Sequence, residues 1–74
     1  MKIGVPKEIK DNEKRISLTP SGAKELISFG HKVFIERNAG IGSGFLDIDY
    51  SKVGVKVLNN AKDIFENSEF IIKV

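Results

Sequence analysis

A run of closely spaced glycines, a single histidine, an arginine in a charged stretch and a lysine at the end of an apolar strand are the residues whose types could do chemistry here. Gly40-Ile41-Gly42-Ser43-Gly44-Phe45 invites a reading as a phosphate loop. A dinucleotide loop needs G-x-G-x-x-G opening a helix, and its third glycine lets that helix pack close behind the pyrophosphate. Here the third glycine arrives one residue early, and no Lys-Ser/Thr pair follows to make a Walker loop. The spacing favours a turn in which glycine takes positive φ, with at most a backbone N–H contact to an anion. His31 has the chemistry of a general acid or base. It follows Gly30 at a helix-to-strand turn, a setting that usually holds an exposed polar residue, and a base needs converging partners. One histidine without any cysteine also excludes a self-contained zinc site, which takes three or four ligands.

Arg15 closes a charged stretch just before Ile16. A guanidinium there can clamp a carboxylate through two parallel hydrogen bonds. By position alone a solvated loop arginine is the blander reading. Lys73 lies near the carboxyl end of an apolar strand, the side on which open parallel sheets bind ligands. Its blander reading is an edge lysine that keeps a strand from aggregating.

The elements that must position these residues are legible in the pattern. Lys2 to Val5 reads as a short strand that Pro6 ends, since proline cannot donate to a ladder. Lys7 to Ile16 is charged, lacks an apolar period and reads as a loop. Thr19 is a good N-cap, and Pro20 suits the first helical position. Ala23, Leu26, Ile27 and Gly30 fall on one helical face, so a helix is predicted from Pro20 to Phe29, with Gly30 as its stop. Val33, Phe34 and Ile35 predict a strand covered on both faces. Arg37 to Phe45 reads as the glycine-rich loop. Asp47 is expected to cap a short helix reaching Val53, broken by Gly54. Val55, Val57 and Leu58 predict a strand. Asn60 is expected to cap a helix with Asp63 in its first turn and Ile64 and Phe65 as apolar anchor. Phe70, Ile71, Ile72 and Val74 predict a last strand. The β-α-β-α-β-α-β order implies an α/β fold with a partial parallel sheet, an incomplete flavodoxin-like or doubly wound domain. A doubly wound sheet normally continues past such a strand, so the chain is expected to be one part of a larger domain.

Composition agrees with a small soluble α/β piece. The 74 residues carry 12 basic and 10 acidic side chains, for a net charge of +2. The signs are interspersed, which suits solubility and not a nucleic-acid stripe. A chain this short buries only about 60% of its unfolded surface, and with no cysteine it has no disulfide to help. No run approaches the roughly 18 apolar residues of a membrane span, and no apolar signal core precedes the first strand. The expectation is a cytoplasmic protein without membrane or nucleic-acid partners.

The segments M-K-I-G-V-P-K-E-I-K, N-E-K-R-I-S-L-T-P, G-H-K-V-F-I-E, A-G-I-G-S-G-F-x-D-x-x-Y and F-I-I-K-V follow one another across the whole chain. In order and spacing they resemble the opening of alanine dehydrogenases. The α subunits of proton-translocating nicotinamide nucleotide transhydrogenases share this region and stand as the alternative family. S-L-T-P and Gly30-His31 look more like the dehydrogenases. An alternative of another class is a small, non-enzymatic anion-binding module.

The resemblance implies a two-domain parent enzyme that binds NAD in a central Rossmann domain and converts L-alanine and water reversibly to pyruvate and ammonia. Residues 1–74 would then be the first part of the substrate domain, inactive alone, in a homo-oligomer that is hexameric in the family. Arg15 matches the arginine that binds the substrate carboxylate. Lys73-Val74 matches the start of an apolar K-V-K stretch whose second lysine is catalytic, leaving Lys73 a lesser substrate contact. The family's catalytic histidine and its NAD-binding glycines lie further on, so neither His31 nor Gly40, Gly42 and Gly44 inherits those roles. No catalytic residue, cofactor-binding residue or metal ligand is expected within this chain.

Overall fold

The computed structural model describes residues 1–8 and 18–73. Strand β1 (Lys2–Val5) is followed by α1 (Pro20–Ser28), β2 (Lys32–Glu36), a 3-10 turn (Ile41–Ser43), α2 (Asp47–Ser51), β3 (Lys56–Leu58), α3 (Ala61–Asn67) and β4 (Phe70–Ile71). The predicted β-α-β-α-β-α-β order is the observed one. Helix α1 starts as its sequence dictates. The Thr19 hydroxyl accepts from the Gly22 N–H at 3.2 Å, and Pro20 fills the first turn, where its missing donor costs nothing. Gly30 follows at φ 94° and turns the chain into β2.

The strands form one parallel sheet in the order β3-β2-β1-β4. Of the two common doubly wound orders this is 3-2-1-4, not the flavodoxin-like 2-1-3. The chain builds outward from β1 through β2 to β3, then returns to the opposite side of β1 to lay down β4. That reversal opens a crevice at the carboxyl ends of β1 and β4, where the two neighbouring connections leave the sheet in opposite directions.

Strand alternation sorts the residues between two covered faces. Val5, Val33 and Ile35 pack on one face with Ala23 of α1, Tyr50 of α2 and Val55, all buried. Gly4 points to the other face, towards α3. A Cβ at Gly4 would collide with the Ser68 hydroxyl and come within 2.8 Å of the Ile64 Cγ2. Glycine is therefore what allows α3 and its exit to lie directly on β1. Burying a Val or Ile side chain is worth about 1.5–3 kcal/mol, and the central pair of strands contributes most of those residues.

Several boundaries differ from the sequence expectation. Asp47 is the first residue of α2 and not its cap. Asp49 does the capping, its carboxylate accepting from the Leu46 N–H at 2.8 Å. The helix ends at Ser51, with Val53 in the following turn, because Gly54 at φ 102° forces the chain over earlier. Asn60 does cap α3, its Oδ1 accepting from the Asp63 N–H at 2.9 Å. Of the expected anchors only Ile64 is buried. Phe65, one residue on and rotated by about 100°, is half exposed. Strand β4 covers Phe70 and Ile71, and Val74 lies outside the described residues.

Candidate functional site

The crevice at the strand-order reversal is lined by Pro6, Lys7 and Glu8 leaving β1, by Lys73 leaving β4 and by Ala61 and Phe65 of α3. It has a volume of about 120 Å³. Pro6, Ala61 and Phe65 supply apolar wall. Lys7, Glu8 and Lys73 supply ionisable groups at its mouth. Charged groups of both signs beside an apolar wall suit a small ligand that carries a charged end and a short apolar part.

Two side chains from elsewhere in the fold bond the backbone at Lys7, on the crevice, and at Leu18, just before α1. Glu36 ends β2, and its Oε1 accepts from the backbone N–H of Lys7 at 2.8 Å. Tyr50 on α2 donates its phenolic O–H to the backbone carbonyl of Leu18 at 2.9 Å. Tyr50 is 1% exposed and meets the Phe45 ring edge-on, with centroids 6.3 Å apart. Burial, and secondarily the nearby carboxylates of Asp49 and Asp47, push its pKa up to about 12. The phenol therefore remains a donor at any physiological pH.

The sequence candidates separate clearly. Lys73 stands on the crevice and is exposed. Arg15 lies outside the described residues, in the segment between Glu8 on the crevice and Leu18 under Tyr50. His31 sits at the opposite, amino end of the strands, where its Nδ1 is 3.3 Å from the terminal ammonium of Met1. It has no place in the crevice. Among the described residues no group of His, Cys, Asp or Glu side chains could hold a metal ion.

The glycine-rich turn is the predicted turn and not a cradle. The N–H groups of Ala39, Ile41, Ser43, Gly44 and Phe45 donate to carbonyls within the turn or at its edge, and that of Asn38 donates to the Asp47 carboxylate at 2.9 Å. These six donors are already spent on the protein and are not offered to a phosphate. Gly40 is there to make room. A Cβ on it would lie 2.7 Å from the Tyr50 ring and 2.9 Å from its hydroxyl.

Glu36 and Tyr50 were not singled out by sequence reasoning. Glu36 carried a usable signal, a carboxylate ending an apolar central strand on the ligand-binding side of the sheet. Tyr50 carried a weaker one, since a buried tyrosine needs a partner for its hydroxyl but the sequence does not say where that partner is.

A family model described as alanine dehydrogenase/PNT, N-terminal domain, matches residues 4–74. The chain belongs to that family. It is 50% identical over all 74 residues to an alanine dehydrogenase of Methanococcus maripaludis and 47% identical to one of Bacillus subtilis. Among solved structures, an L-alanine dehydrogenase superposes on 99% of the chain with a TM-score of 0.94 and 51% identity. A transhydrogenase from Sinorhizobium meliloti covers 80% with a TM-score of 0.76 and 34% identity. The chain spans about one fifth of the length of each of these proteins: 20%, 19%, 20% and 18% in the same order. The doubly wound sheet described above thus belongs to the family's N-terminal domain.

Proposed function

We propose that this chain supplies the first part of the substrate domain of an NAD-dependent alanine dehydrogenase, which converts L-alanine, NAD and water reversibly to pyruvate, ammonia and NADH. The observation that carries this is a crevice at the strand-order reversal, flanked by Lys73 and by the β1 exit that leads to Arg15, in a chain half identical to alanine dehydrogenases. A 2-oxo acid must present its carbonyl carbon in a fixed orientation, and a bidentate guanidinium on its carboxylate sets that orientation. Arg15 takes this role. Its charge is permanent, so the anchor does not depend on pH. Lys73 adds attraction to the anion without fixing its plane.

The residues of this chain do not fit a dinucleotide. The glycine spacing is wrong, and most of the turn's N–H groups are engaged within the protein. NAD binding is assigned to a domain outside these 74 residues, and the 74-residue chain alone is expected to be inactive. The parent enzyme is read as cytoplasmic and homo-oligomeric. A transhydrogenase α subunit is the weaker reading, since that neighbour matches at lower identity and over less of the chain.

The test is an assay of the complete protein that contains this sequence. Alanine-dependent reduction of NAD, absent from the 74-residue chain, is the expected result. Hydride exchange between two nicotinamide nucleotides without any amino acid would replace the dehydrogenase by the transhydrogenase. Saturable pyruvate binding by the folded chain alone would favour a free-standing anion-binding module.

A further inference from the structure

Helix α3 is anchored on the sheet by Ile64, its buried residue, and leaves the ring of Phe65 half exposed. A ring so placed does little for the helix that carries it. Ala61 and Phe65 are four positions apart, so they lie one above the other on one face of α3. Both line the crevice beside β1 and β4, and with Pro6 they are its apolar wall. The ionisable groups Lys7, Glu8 and Lys73 come instead from the two strand exits. At about 120 Å³ the crevice is far smaller than the roughly 300–1,000 Å³ of pockets for drug-sized ligands. It has room for a molecule of few atoms. We propose that Phe65 is a specificity-determining residue: with Ala61 and Pro6 it packs the side chain of the substrate and excludes chains longer than the methyl group of pyruvate or alanine. This rests on the reading of the crevice as the substrate site of an alanine dehydrogenase.

The discrimination is one of size. The side chains of Pro6, Ala61 and Phe65 carry no polar atom, so this wall cannot select by hydrogen bonding and can only admit or exclude by shape. One methylene more or less in an apolar pocket is worth roughly 10–200-fold in kcat/KM. Phe65 is the largest of the three, and its removal would change the space most. A substrate methyl group resting on the half-exposed ring also buries apolar surface that the fold itself leaves in water, which favours binding.

The experiment uses the complete enzyme containing this sequence, with Phe65→Ala to widen the wall and Ala61→Leu to narrow it. Reductive amination of pyruvate and of 2-oxobutyrate, the NADH KM and thermal unfolding are measured for the parent and both variants. Phe65→Ala is expected to raise the ratio of kcat/KM for 2-oxobutyrate over pyruvate about tenfold or more, the lower end for one methylene in an apolar pocket. Ala61→Leu should move the same ratio the other way. The NADH KM should stay at the parent value in both. The melting temperature of Phe65→Ala should stay near the parent's, because the ring is half exposed. If the parent aminates pyruvate and neither variant moves the ratio, Phe65 does not bound the substrate, and the proposal is wrong while the dehydrogenase reading stands. If Phe65→Ala lowers the melting temperature and leaves the ratio unmoved, the ring packs against another part of the enzyme, which also overturns the proposal. If the parent does not act on pyruvate and ammonia at all, the underlying reading falls with it.

Discussion

Two loops leave the carboxyl ends of neighbouring central strands, and they could hardly differ more. The loop after β2 is rich in glycine and looks in sequence like a binding site. Six of its N–H groups are bonded to nearby carbonyls or to Asp47, and a Cβ on Gly40 would meet the Tyr50 ring. The connection after β1 is charged and looks in sequence like solvated surface. Its first residues, Pro6, Lys7 and Glu8, line a crevice shared with Lys73 and α3, and Glu36 accepts from the Lys7 N–H. The difference is topological. In a doubly wound sheet a site forms where strand order reverses, next to β1 and β4, and not wherever glycines gather.

The glycine turn gives the largest expected effect. Gly40→Val forces a side chain into space that the Tyr50 ring and the Phe45 Cβ already fill. Overpacking of that kind should cost about 3 kcal/mol, read by denaturant unfolding. A loss below about 1 kcal/mol would mean that the turn can relax, and the contrast between a packed loop and a binding loop would weaken.

That contrast shows how far the sequence reaches. Elements whose signals are local were legible. The Thr19-Pro20 start, the Gly30 stop, the Val33 to Ile35 run and the Asn60 cap each depend on residues within a few positions, and each appears where expected. The hydrogen bonds of Glu36 and Tyr50 join residues 29 and 32 positions apart, and β1 pairs with β4 through Ile3 and Phe70, which no local pattern encodes. Helix α2 shows the same limit. Asp47 and Asp49 are both plausible caps, and which one caps depends on whether Asp47 is already engaged by Asn38 across the turn. The role of Arg15 came only from the resemblance, since a charged loop taken alone reads as solvated.

Tyr50, which bonds the Leu18 carbonyl, predicts a pH dependence. A free phenol ionises near pH 10, whereas in the fold Tyr50 is pushed up to about 12. Above pH 10 the unfolded chain releases this proton first, so stability should fall as pH rises from 10 towards 12. The loss should be on the order of 2 kcal/mol at about 1.4 kcal/mol per unit. Tyr50→Phe should flatten that part of the stability profile. An unchanged slope in the phenylalanine variant would show that Tyr50 is not the group responsible.

A smaller effect is expected where the β1 connection enters α1. Thr19→Ala removes the acceptor for the Gly22 N–H and should cost about 1 kcal/mol of unfolding free energy. Thr19→Asn should restore it. If asparagine fails to do so, the hydroxyl serves something other than the cap.

No effect at all is expected when NAD is titrated into the folded protein and the backbone amides of Gly40 to Gly44 are followed by NMR. Saturable shifts centred on those residues would return the glycine loop to the list of ligand sites and undo the comparison from its other side.

The central claim is that the β1 connection, through Arg15, binds the substrate carboxylate. Steady-state kinetics of Arg15→Ala in the complete enzyme, set beside Lys73→Ala, test it most directly. Arg15→Ala should lower kcat/KM for pyruvate by roughly a hundredfold, the equivalent of one charge-assisted contact left unmade. NADH binding should stay unchanged, and Lys73→Ala should do much less. If pyruvate kinetics survive the loss of Arg15, or if NADH binding weakens as much as pyruvate use, Arg15 is a solvated loop charge and the account is wrong.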